Sequence, residues 1–464
     1  MCKFENGLNH KQQTTNHKQF FRMKYAFIFI TCLCCSMTKA QQILTLDDAM
    51  SAALKNNYDI LMSRNDSISY ALNRYYSFGA FLPQLNGLAG TTWNTNNQEL
   101  KFVSRDASGK DSIVQRNGVK SSNVNYSVNL SWTLFDGMKM FATREKLYEL
   151  ERLGALEVKT QMVNSIAAVI KNYFNIVRQK QQLKAIEEQM SIDEERVKLA
   201  DKKLSVGLGS KPELLQAKVD WNAQKAAQLT QQTLIAQLRD QLNQLIGFKT
   251  GSVYDVSDSI PLNTTLQFGA FAQQFEQTNP SLLYAQKNID IAKLAVKEQK
   301  AGLLPTLAFN SAYNFSRTNN SLAVNLFQPF FNRNKGFNYG FGLNVPILNG
   351  FNQRRLIRQA QITEHYQELN YLNLRSQVDV GLTNAFKDYE LQKQLLDLEN
   401  DNIALAKENV AIALERFKQG VSTYLELREA QKSLEDAYNR LIAARYNTKV
   451  AETELLRLKG DILR

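Results

Sequence analysis

Two long stretches of the chain have apolar residues at helical spacing and contain no proline. The first runs from about Lys139 to Ser205 and holds one glycine, Gly154. Because proline breaks helices and a helix rises about 1.5 Å per residue, this stretch predicts one helix of about 100 Å. A turn at Gly207 and a long returning helix follow, and the same order recurs around Gly420. The pattern therefore predicts two long helical hairpins.

Apolar positions in both hairpins recur at alternating steps of three and four residues, which is the spacing of a coiled-coil seam. In the second hairpin the seam consists of Ile403, Ala406, Val410, Ala413 and Phe417. The matching residues of the first hairpin are Met190, Val197, Ala200 and Leu204, with Asp193 as a polar interruption. The hairpins are therefore expected to pack as coiled coils.

Each returning helix begins with a capping signal directly after the tip of its hairpin. Ser210 is followed three residues later by Glu213, and Thr423 by Glu426. This pattern satisfies the free backbone N–H groups at the start of a helix. The hairpin tips are therefore predicted at the glycines before these caps, Gly207 and Gly420.

Two other segments alternate strictly between apolar and polar residues, which predicts β-strands over 123–134 and 337–347. Their partner strands are expected at about 85–98 and 307–317, and the polar segment 95–122 is expected to be an exposed loop. A soluble sheet with one buried face would also alternate. Here, however, the apolar face is rich in Tyr, Trp and Phe and the polar face is almost uncharged, which favours a membrane β-barrel.

Four strands cannot close such a barrel, because the smallest membrane barrels have about eight. An open edge cannot face lipid, so copies of the chain would have to share one barrel. Two copies would supply eight strands and three would supply twelve, and the alternation itself does not choose between them.

The chain is a tandem repeat. The segment around Phe135-Asp136-Gly137 recurs around Leu348-Asn349-Gly350, at the same offset that separates Gly207 from Gly420. Leu82-Pro83 recurs as Leu304-Pro305 at a slightly larger offset. Pro83, Pro305, Gly137 and Gly350 are expected to mark strand boundaries. The predicted divisions are a signal peptide over 1–40, a first repeat over 41–247, a linker over 248–265 and a second repeat over 266–464.

The segment 1–40 resembles a secretory signal peptide. Arg22 and Lys24 precede an apolar run over 25–37, and cleavage is predicted after Ala40. Met23 is an alternative start, and an N-terminal anchor helix is an alternative structure. All four cysteines lie ahead of the predicted cleavage: Cys2, Cys32, Cys34 and Cys35. Lipoprotein processing at one of the last three is a further alternative, whereas the remaining chain has no thiol for a disulfide or a metal.

Charge and motifs argue against nucleic-acid binding and catalysis. The net charge of +12 falls to +7 without the segment 1–40, and it forms no polybasic block. His365 is the one histidine left, and no nucleophile elbow, phosphate-binding loop or metal-ligand spacing occurs. We therefore expect no enzyme, no catalytic residues, no metal site and no cofactor.

The order of these elements resembles the TolC-type outer-membrane efflux factors. The matching motifs are Leu44-Thr45-Leu46-Asp47-Asp48-Ala49, Asn56-Asn57, the two Leu-Pro pairs, Leu134-Phe135-Asp136-Gly137 and the two tip glycines. Each motif is weak alone, but together they cover 43–460. The resemblance implies an elongated α+β fold, with four strands per protomer and twelve per trimer in a membrane β-barrel, and a long periplasmic coiled-coil barrel.

The same resemblance implies a passive export duct in the outer membrane of a Gram-negative bacterium, extending into the periplasm. Such a duct is the channel component of a tripartite efflux or type I secretion system. Its expected partners are two further copies of the chain, outer-membrane lipid, and a periplasmic adaptor with an inner-membrane pump. The alternative is a periplasmic coiled-coil scaffold or adaptor without a pore, which the aromatic strands disfavour. A diffusion porin is a third alternative, but porins lack the long helices that this sequence predicts.

In this family, two acids just past the second tip form an anionic ring, and the resemblance assigns that role to Glu426 and Glu429. Glu426 could instead serve only as a helix cap, and Glu429 as an ordinary exposed residue. A tyrosine and an arginine near that tip can tie the closed state, and their positions hold Phe417 and Ser422 here. That network is therefore expected to be absent. The tips, with Gly207, Gly420, Ser210 and Thr423, are expected to dock the adaptor.

Overall fold

The structure, a computed structural model, describes residues 43–105, 111–263, 265–322 and 329–463. The predicted signal peptide lies outside these residues. The chain divides into two compact units. The hairpin unit contains the described part of Met1–Tyr58 with Asn164–Leu266 and Ala385–Arg457, and the strand unit contains Asp59–Val163, Gln267–Asn384 and the described part of Leu458–Arg464.

Helices account for most of the described chain. They are α1 (Leu46–Asn56), α2 (Tyr58–Tyr75), α3 (Lys139–Ser205), α4 (Lys211–Ile246), α5 (Phe268–Ala272), α6 (Phe275–Thr278), α7 (Pro280–Ala301), α8 (Asn352–Lys418) and α9 (Tyr424–Lys459). The strands are β1 (Ile43–Leu44), β2 (Gln84–Arg105), β3 (Asp111–Phe135), β4 (Asp255–Val256), β5 (Thr306–Asn320) and β6 (Phe331–Asn344). None of the helices in these described ranges is long and apolar enough to cross a membrane.

The two predicted hairpins are confirmed, as is the tandem-repeat fold. Helices α3 and α8 each contain 67 residues, and α4 and α9 each contain 36. Every helix boundary in the second hairpin lies at one constant offset from its counterpart in the first, the offset that relates the two tip glycines. Each repeat opens with a helical stretch that is divided into shorter helices. The stretch is interrupted at Asn57 in the first repeat and at Asn279 in the second, and the side-chain amides of these two residues donate to Leu245 O and Leu458 O at 2.9 and 2.8 Å.

The core of the hairpin unit follows the predicted heptads. Ala406 and Val410 of α8 pack against Ala430, Leu434 and Ala437 of α9, and Ile403 and Ala413 extend the same cluster. On α3, the large buried side chains include Tyr173 and Phe174, and the Tyr173 hydroxyl donates to Leu44 O of β1 at 2.8 Å. Helix α3 is thereby fixed to the short parallel β1–β4 pair.

The strand unit contains one antiparallel sheet in the order β2-β3-β5-β6. The register aligns aromatic residues across three strands, with Trp132 opposite Phe309 and Phe309 opposite Phe341. Tyr126 stacks on Phe315 with ring centroids 4.7 Å apart. The apolar face predicted from the alternation is thus continuous, and Phe337, Tyr339, Phe341 and Leu343 are exposed on β6.

The prediction of a loop over 95–122 is wrong. Residues up to Arg105 belong to β2, and residues from Asp111 onwards belong to β3. The polar composition misled the prediction, because a β ladder is built by backbone groups whatever the side chains are. The Gln115 side chain also donates to Glu99 across the strands at 2.7 Å.

Three of the four residues expected at strand boundaries lie within two residues of a long strand, whereas Gly350 lies six residues after the end of β6 and two before the start of α8. Pro83 and Pro305 directly precede β2 and β5. Gly137 and Gly350 have positive φ angles of 72° and 62° in the turns that lead into α3 and α8. A side chain at Gly137 would overlap the backbone of Ala301 and approach Leu304 Cβ to 2.8 Å, whereas Gly350 has open space around it.

We expect Gly137→Ala to lower the thermal stability of the purified protein more than Gly350→Ala. Both changes place an L side chain in the left-handed region, at a cost of about 1–2 kcal/mol. Only Gly137→Ala adds a backbone overlap. Circular dichroism of the two variants during heating measures the difference, and equal midpoints would contradict the assigned close approach.

Candidate functional site

The two hairpin tips have the same backbone construction. Gly207 and Gly420 adopt φ angles of 79° and 74°, which glycine reaches without steric cost. Beyond them, Leu208 N donates to Lys203 O at 2.8 Å and Val421 N to Arg416 O at 3.0 Å. These bonds satisfy carbonyls at the ends of α3 and α8, so each chain reversal is tight and well defined.

The predicted caps start the returning helices. Ser210 Oγ accepts from Glu213 N at 3.4 Å, and Thr423 Oγ1 accepts from Glu426 N at 3.3 Å. The surface around the tips is apolar. Its exposed side chains are Val206, Leu208, Val421 and Leu425, of which Leu208 is 82% exposed. Each tip thus presents branched apolar side chains on a tight turn.

A buried arginine lies on α3 about three helical turns before the first tip. This residue, Arg196, is 2% exposed. Its Nη1 donates to Gln431 Oε1 of α9 at 2.8 Å, and its Nη2 donates to Asp220 Oδ2 of α4 at 2.8 Å. The same Nη2 lies 3.4 Å from Asp193 Oδ1, and the guanidinium carbon is 5.0 Å from the centre of the Tyr424 ring. We call Asp193, Arg196, Asp220, Tyr424 and Gln431 the Arg196 cluster.

Asp220 is the acceptor that joins three helices in this cluster. It accepts a hydrogen bond from Arg196 of α3 and another from the Tyr424 hydroxyl of α9, the latter at 2.5 Å. Gln216 of its own helix donates to Oδ1 at 2.9 Å, and Arg428 Nε lies 3.8 Å from Oδ2. One carboxylate therefore ties the first hairpin to the second.

Burial and charge act differently on the groups of the cluster. Burial alone raises the pKa of Asp220, but the hydrogen bonds from Tyr424 and Gln216 and the charges of Arg196 and Arg428 outweigh it, so this pKa lies below its ordinary value. Burial and then the hydrogen bond to Asp220 raise the pKa of Tyr424 to about 12. Burial also raises the pKa of Asp193 despite the opposing charge of Arg196. Asp220 is thus the carboxylate of the cluster whose ionised form its neighbours favour.

A second tie lies closer to the tips. Lys203 Nζ of α3 is 4.1 Å from the centre of the Phe417 ring of α8, and it donates to Phe417 O at 3.3 Å. Phe417 is buried. The ammonium group therefore gains both a ring face and a carbonyl.

The residues expected to replace the family's tyrosine and arginine do not form one polar network. Phe417 joins the Lys203 contact, whereas Ser422 Oγ is buried without a hydrogen-bond partner among the described residues. The hairpins are tied instead by Arg196, Asp220 and Tyr424, which the sequence reasoning missed. The available signal was Asp193 in the apolar seam with an arginine three residues later, a spacing that pairs charges on one helix face.

Glu426 and Glu429, the predicted ring acids, are both exposed on the first turns of α9. Glu426 Oε2 lies 3.8 Å from Arg416 Nη2 of α8. Their spacing of three residues places both carboxylates on neighbouring positions of one helix surface. Arg428, which faces Asp220, lies between them in sequence. The two acids and the Arg196 cluster thus share the start of α9.

The remaining chemistry is sparse in the parts of the chain that the structure describes. No three His, Cys, Asp or Glu residues are grouped there as metal ligands. His365 is exposed, and its Nδ1 lies 3.3 Å from Glu368 Oε2 one helical turn away.

Comparison with known proteins gives consistent similarities along the chain. The sequence profile described as outer membrane efflux protein matches residues 49–248 and 271–461. The cation efflux system protein CusC of Escherichia coli K12 is 24% identical over 434 residues, covering 90% of this chain and 86% of the relative. The outer membrane protein TolC of the same strain is 19% identical over 357 residues, covering 75% and 71%.

A solved structure shows that the fold is shared. The crystal structure of the Campylobacter jejuni CmeC outer membrane channel superimposes with a TM-score of 0.70 at 17% identity, covering 90% of this chain and 85% of that one. Together with the family match, this confirms the resemblance and the α+β tandem-repeat fold expected from the sequence.

We expect Asp220→Asn to lower stability, because Arg196 and Tyr424 lose a charged acceptor. A hydrogen bond to a charged group contributes about 1.5–3 kcal/mol. Since the folded-state pKa of Asp220 lies below the ordinary 3.8, this contribution is fully present above about pH 4 and is lost as the pH falls through the lower, folded-state pKa. Thermal unfolding at several pH values should therefore show a difference in midpoint between wild type and variant. This difference should stay constant above about pH 4 and become smaller at lower pH.

The exposed acid Asp201 of α3 supplies the control. Asp201→Asn should leave the unfolding midpoint nearly unchanged at every pH. If the difference in unfolding midpoint between wild type and Asp220→Asn instead grows as the pH falls, Asp220 is not the ionised acceptor.

Proposed function

Since the chain belongs to the outer membrane efflux protein family, and so is an outer-membrane channel of an efflux or secretion system, we propose that it is a passive export duct opened at its hairpin tips. Three copies form the duct, and the Arg196 cluster holds each copy closed. Members of the family are trimeric channels that work with adaptors and inner-membrane pumps. A pump must supply the energy, because the sequence contains no nucleotide-binding motif.

The sheet supports the shared barrel of this proposal. Its two outer strands, β2 and β6, each pair on one side only within a copy. Unpaired backbone groups cannot be exposed to hydrocarbon, so each edge has to pair with another copy. The exposed aromatic face of β3, β5 and β6 suits the lipid side of a barrel. Three copies would supply twelve strands.

The observation that carries the gate is the position of the Arg196 cluster. It joins α3 and α4 of the first hairpin to α9 of the second, directly behind the tips. Moving the hairpins apart would break these bonds and return Arg196, Asp220 and Tyr424 to water. The hydration that these groups regain offsets much of the lost hydrogen-bond and charge interaction. The contact between the hairpins can therefore form and break reversibly.

Glu426 and Glu429 are proposed to form the anionic ring at the periplasmic entrance. Three copies would place six carboxylates around one opening, and rings of acids favour cations in a pore. Both side chains are exposed in a single copy and so are free to face the opening. The homologous position to Glu429 in the first repeat is Gln216, so the ring would draw on the second hairpin alone.

The tips are proposed to dock a periplasmic adaptor. Gly207 and Gly420 fix the turns, Ser210 and Thr423 cap the helices that follow, and the apolar side chains beside them stay exposed. A partner with apolar helix ends fits this surface. Binding there could pull the tips outward and act on the Arg196 cluster.

Tyr424→Phe is expected to raise the conductance of the purified channel in planar bilayers. The change removes the hydroxyl that donates to Asp220 and leaves the ring in place. Loss of about 1.5 kcal/mol from the closed state shifts the closed–open equilibrium roughly tenfold.

The matched control is Tyr438→Phe, because the Tyr438 hydroxyl also joins α9 to α3, donating to Glu188 at 2.7 Å farther from the tips. This variant should conduct like the wild type. If both variants conduct alike, the Arg196 cluster is not the gate.

Glu429→Gln is expected to reduce the cation selectivity of the channel without changing its thermal stability. Glu426→Gln separates the two roles of Glu426, because glutamine can still serve in a capping box but carries no charge. The reversal potential across a salt gradient measures the selectivity, with Glu213→Gln at the first tip as the control. Unchanged reversal potentials for Glu426→Gln and Glu429→Gln would reject the ring.

A further inference from the structure

Two helices of the hairpin unit carry apolar stripes that no described residue covers within one copy. On α8, the stripe consists of Leu391, Leu395, Leu398, Leu405 and Ile412, with Asn402 and Asn409 completing the heptad positions. On α4, it consists of Leu215, Val219, Ala226 and Leu229, with Asn222 completing it. Leu405 is 65% exposed and Leu229 58% exposed. Both stripes have coiled-coil spacing, and each lies apart from the face its helix buries inside the copy.

Charged residues flank the two stripes with opposite signs. Lys211, Lys218 and Lys225 follow the stripe of α4 once per heptad. Asp401, Glu408 and Glu415 follow the stripe of α8 at the same interval. All six side chains are exposed within one copy. In heptad notation, with the stripe residues at positions a and d, each charged row occupies position g, directly before position a. Two antiparallel helices in a coiled coil place their g positions opposite each other.

We propose that α4 of one copy and α8 of the next form an antiparallel coiled-coil seam, which rests on the trimeric duct proposed above and defines how its copies meet. The three lysines lie opposite the three acids in one register: Lys211 with Glu415, Lys218 with Glu408, and Lys225 with Asp401. Opposite charges in these flanking positions set the orientation and choice of partner in coiled coils.

The same register sorts the stripe residues into layers. Val219 meets Leu405, Ala226 meets Leu398, and Leu229 meets Leu395. Asn222 meets Asn402, so a polar residue faces a polar residue in the middle of the seam. A buried asparagine pair of this kind restricts the register of a coiled coil. A shift of one heptad would pair Asn222 with Asn409 instead, but it would keep only two of the three lysine–acid pairs, so the charged rows select the register given above.

A second copy of this chain is the occupant that the two stripes select. The stripes differ, so a contact between them is head to tail rather than self-complementary. Head-to-tail contacts produce a closed ring when the rotation between copies closes. Every copy then uses its α4 once and its α8 once. In such a ring, every acidic row pairs with the basic row of a neighbouring copy. An adaptor docked on one stripe would leave the other stripe uncovered.

The within-copy contacts of the charged rows are few and weak. Lys225 Nζ lies 5.2 Å from the centre of the Trp221 ring, and Gln419 donates to Glu415 at 2.9 Å. Neither contact holds a charge of the opposite sign. The rows are therefore available to pair between copies.

Crosslinking tests the register directly in the full chain. All four cysteines precede Ile43, so introduced thiols are unique in the rest of the chain. Lys218→Cys combined with Glu408→Cys should give covalent dimers and trimers with a short bismaleimide. The control combines Lys218→Cys with Gln394→Cys, which lies on the same row of α8 but about 20 Å along the helix. This control should give none.

Charge reversal provides the second arm. Lys211→Glu, Lys218→Glu and Lys225→Glu together should abolish the trimer in detergent. Adding Asp401→Lys, Glu408→Lys and Glu415→Lys should restore it, which a folding defect would not allow. A trimer that persists while the matched pair fails to crosslink would overturn the seam and leave the duct intact. A monomeric wild-type protein in detergent would instead reject the trimeric duct itself.

Discussion

Helices as long as α3 and α8 can bury their apolar residues only against other helices that run beside them. Each contains 67 residues and carries apolar positions on more than one face. Within a copy, α9 covers one face of α8 through the cluster around Ala406 and Leu434. The opposite stripe of α8 stays exposed, so a single copy leaves the coiled coil unfinished. The need to cover that stripe gives rise to the hairpins first and to the proposed contact between copies second.

The Arg196 cluster departs from this apolar rule at one level of the hairpin unit. An apolar layer there would bind at least as strongly, because buried charges must be separated from water before they can attract each other. Charged groups differ in what happens on separation, since they regain hydration and an apolar layer does not. A polar layer behind the tips therefore suits a junction that has to open, while the apolar layers farther along α8 and α9 suit one that stays closed.

The sequence predicted the regular parts of this fold because their signals are local and periodic. The bounds of α3 agree with the prediction at both ends, and the seam residues of α8 are buried or partly buried as expected. Strands β2 and β3 were predicted too short because their outer halves break the strict alternation of apolar and polar residues, and only the backbone register shows the pairing. Strand β6 begins before the predicted start at residue 337 and ends at Asn344, short of the predicted end at residue 347. Asp220 and Tyr424 were missed because they are far apart in the chain, and no pattern in either helix indicates that they meet.

The duplication has a consequence for how the two halves of the chain can evolve. Tyr424 and Gln431, which complete the Arg196 cluster, occupy the sites that hold Lys211 and Lys218 in the first repeat. The same pair of ancestral positions now serves an internal junction in one half and a charged outer edge in the other. Recombination that copied one half over the other would put lysines beside Arg196, or would erase the basic edge. Either exchange would damage a junction, so the two halves cannot replace each other at these sites even though their helix boundaries coincide.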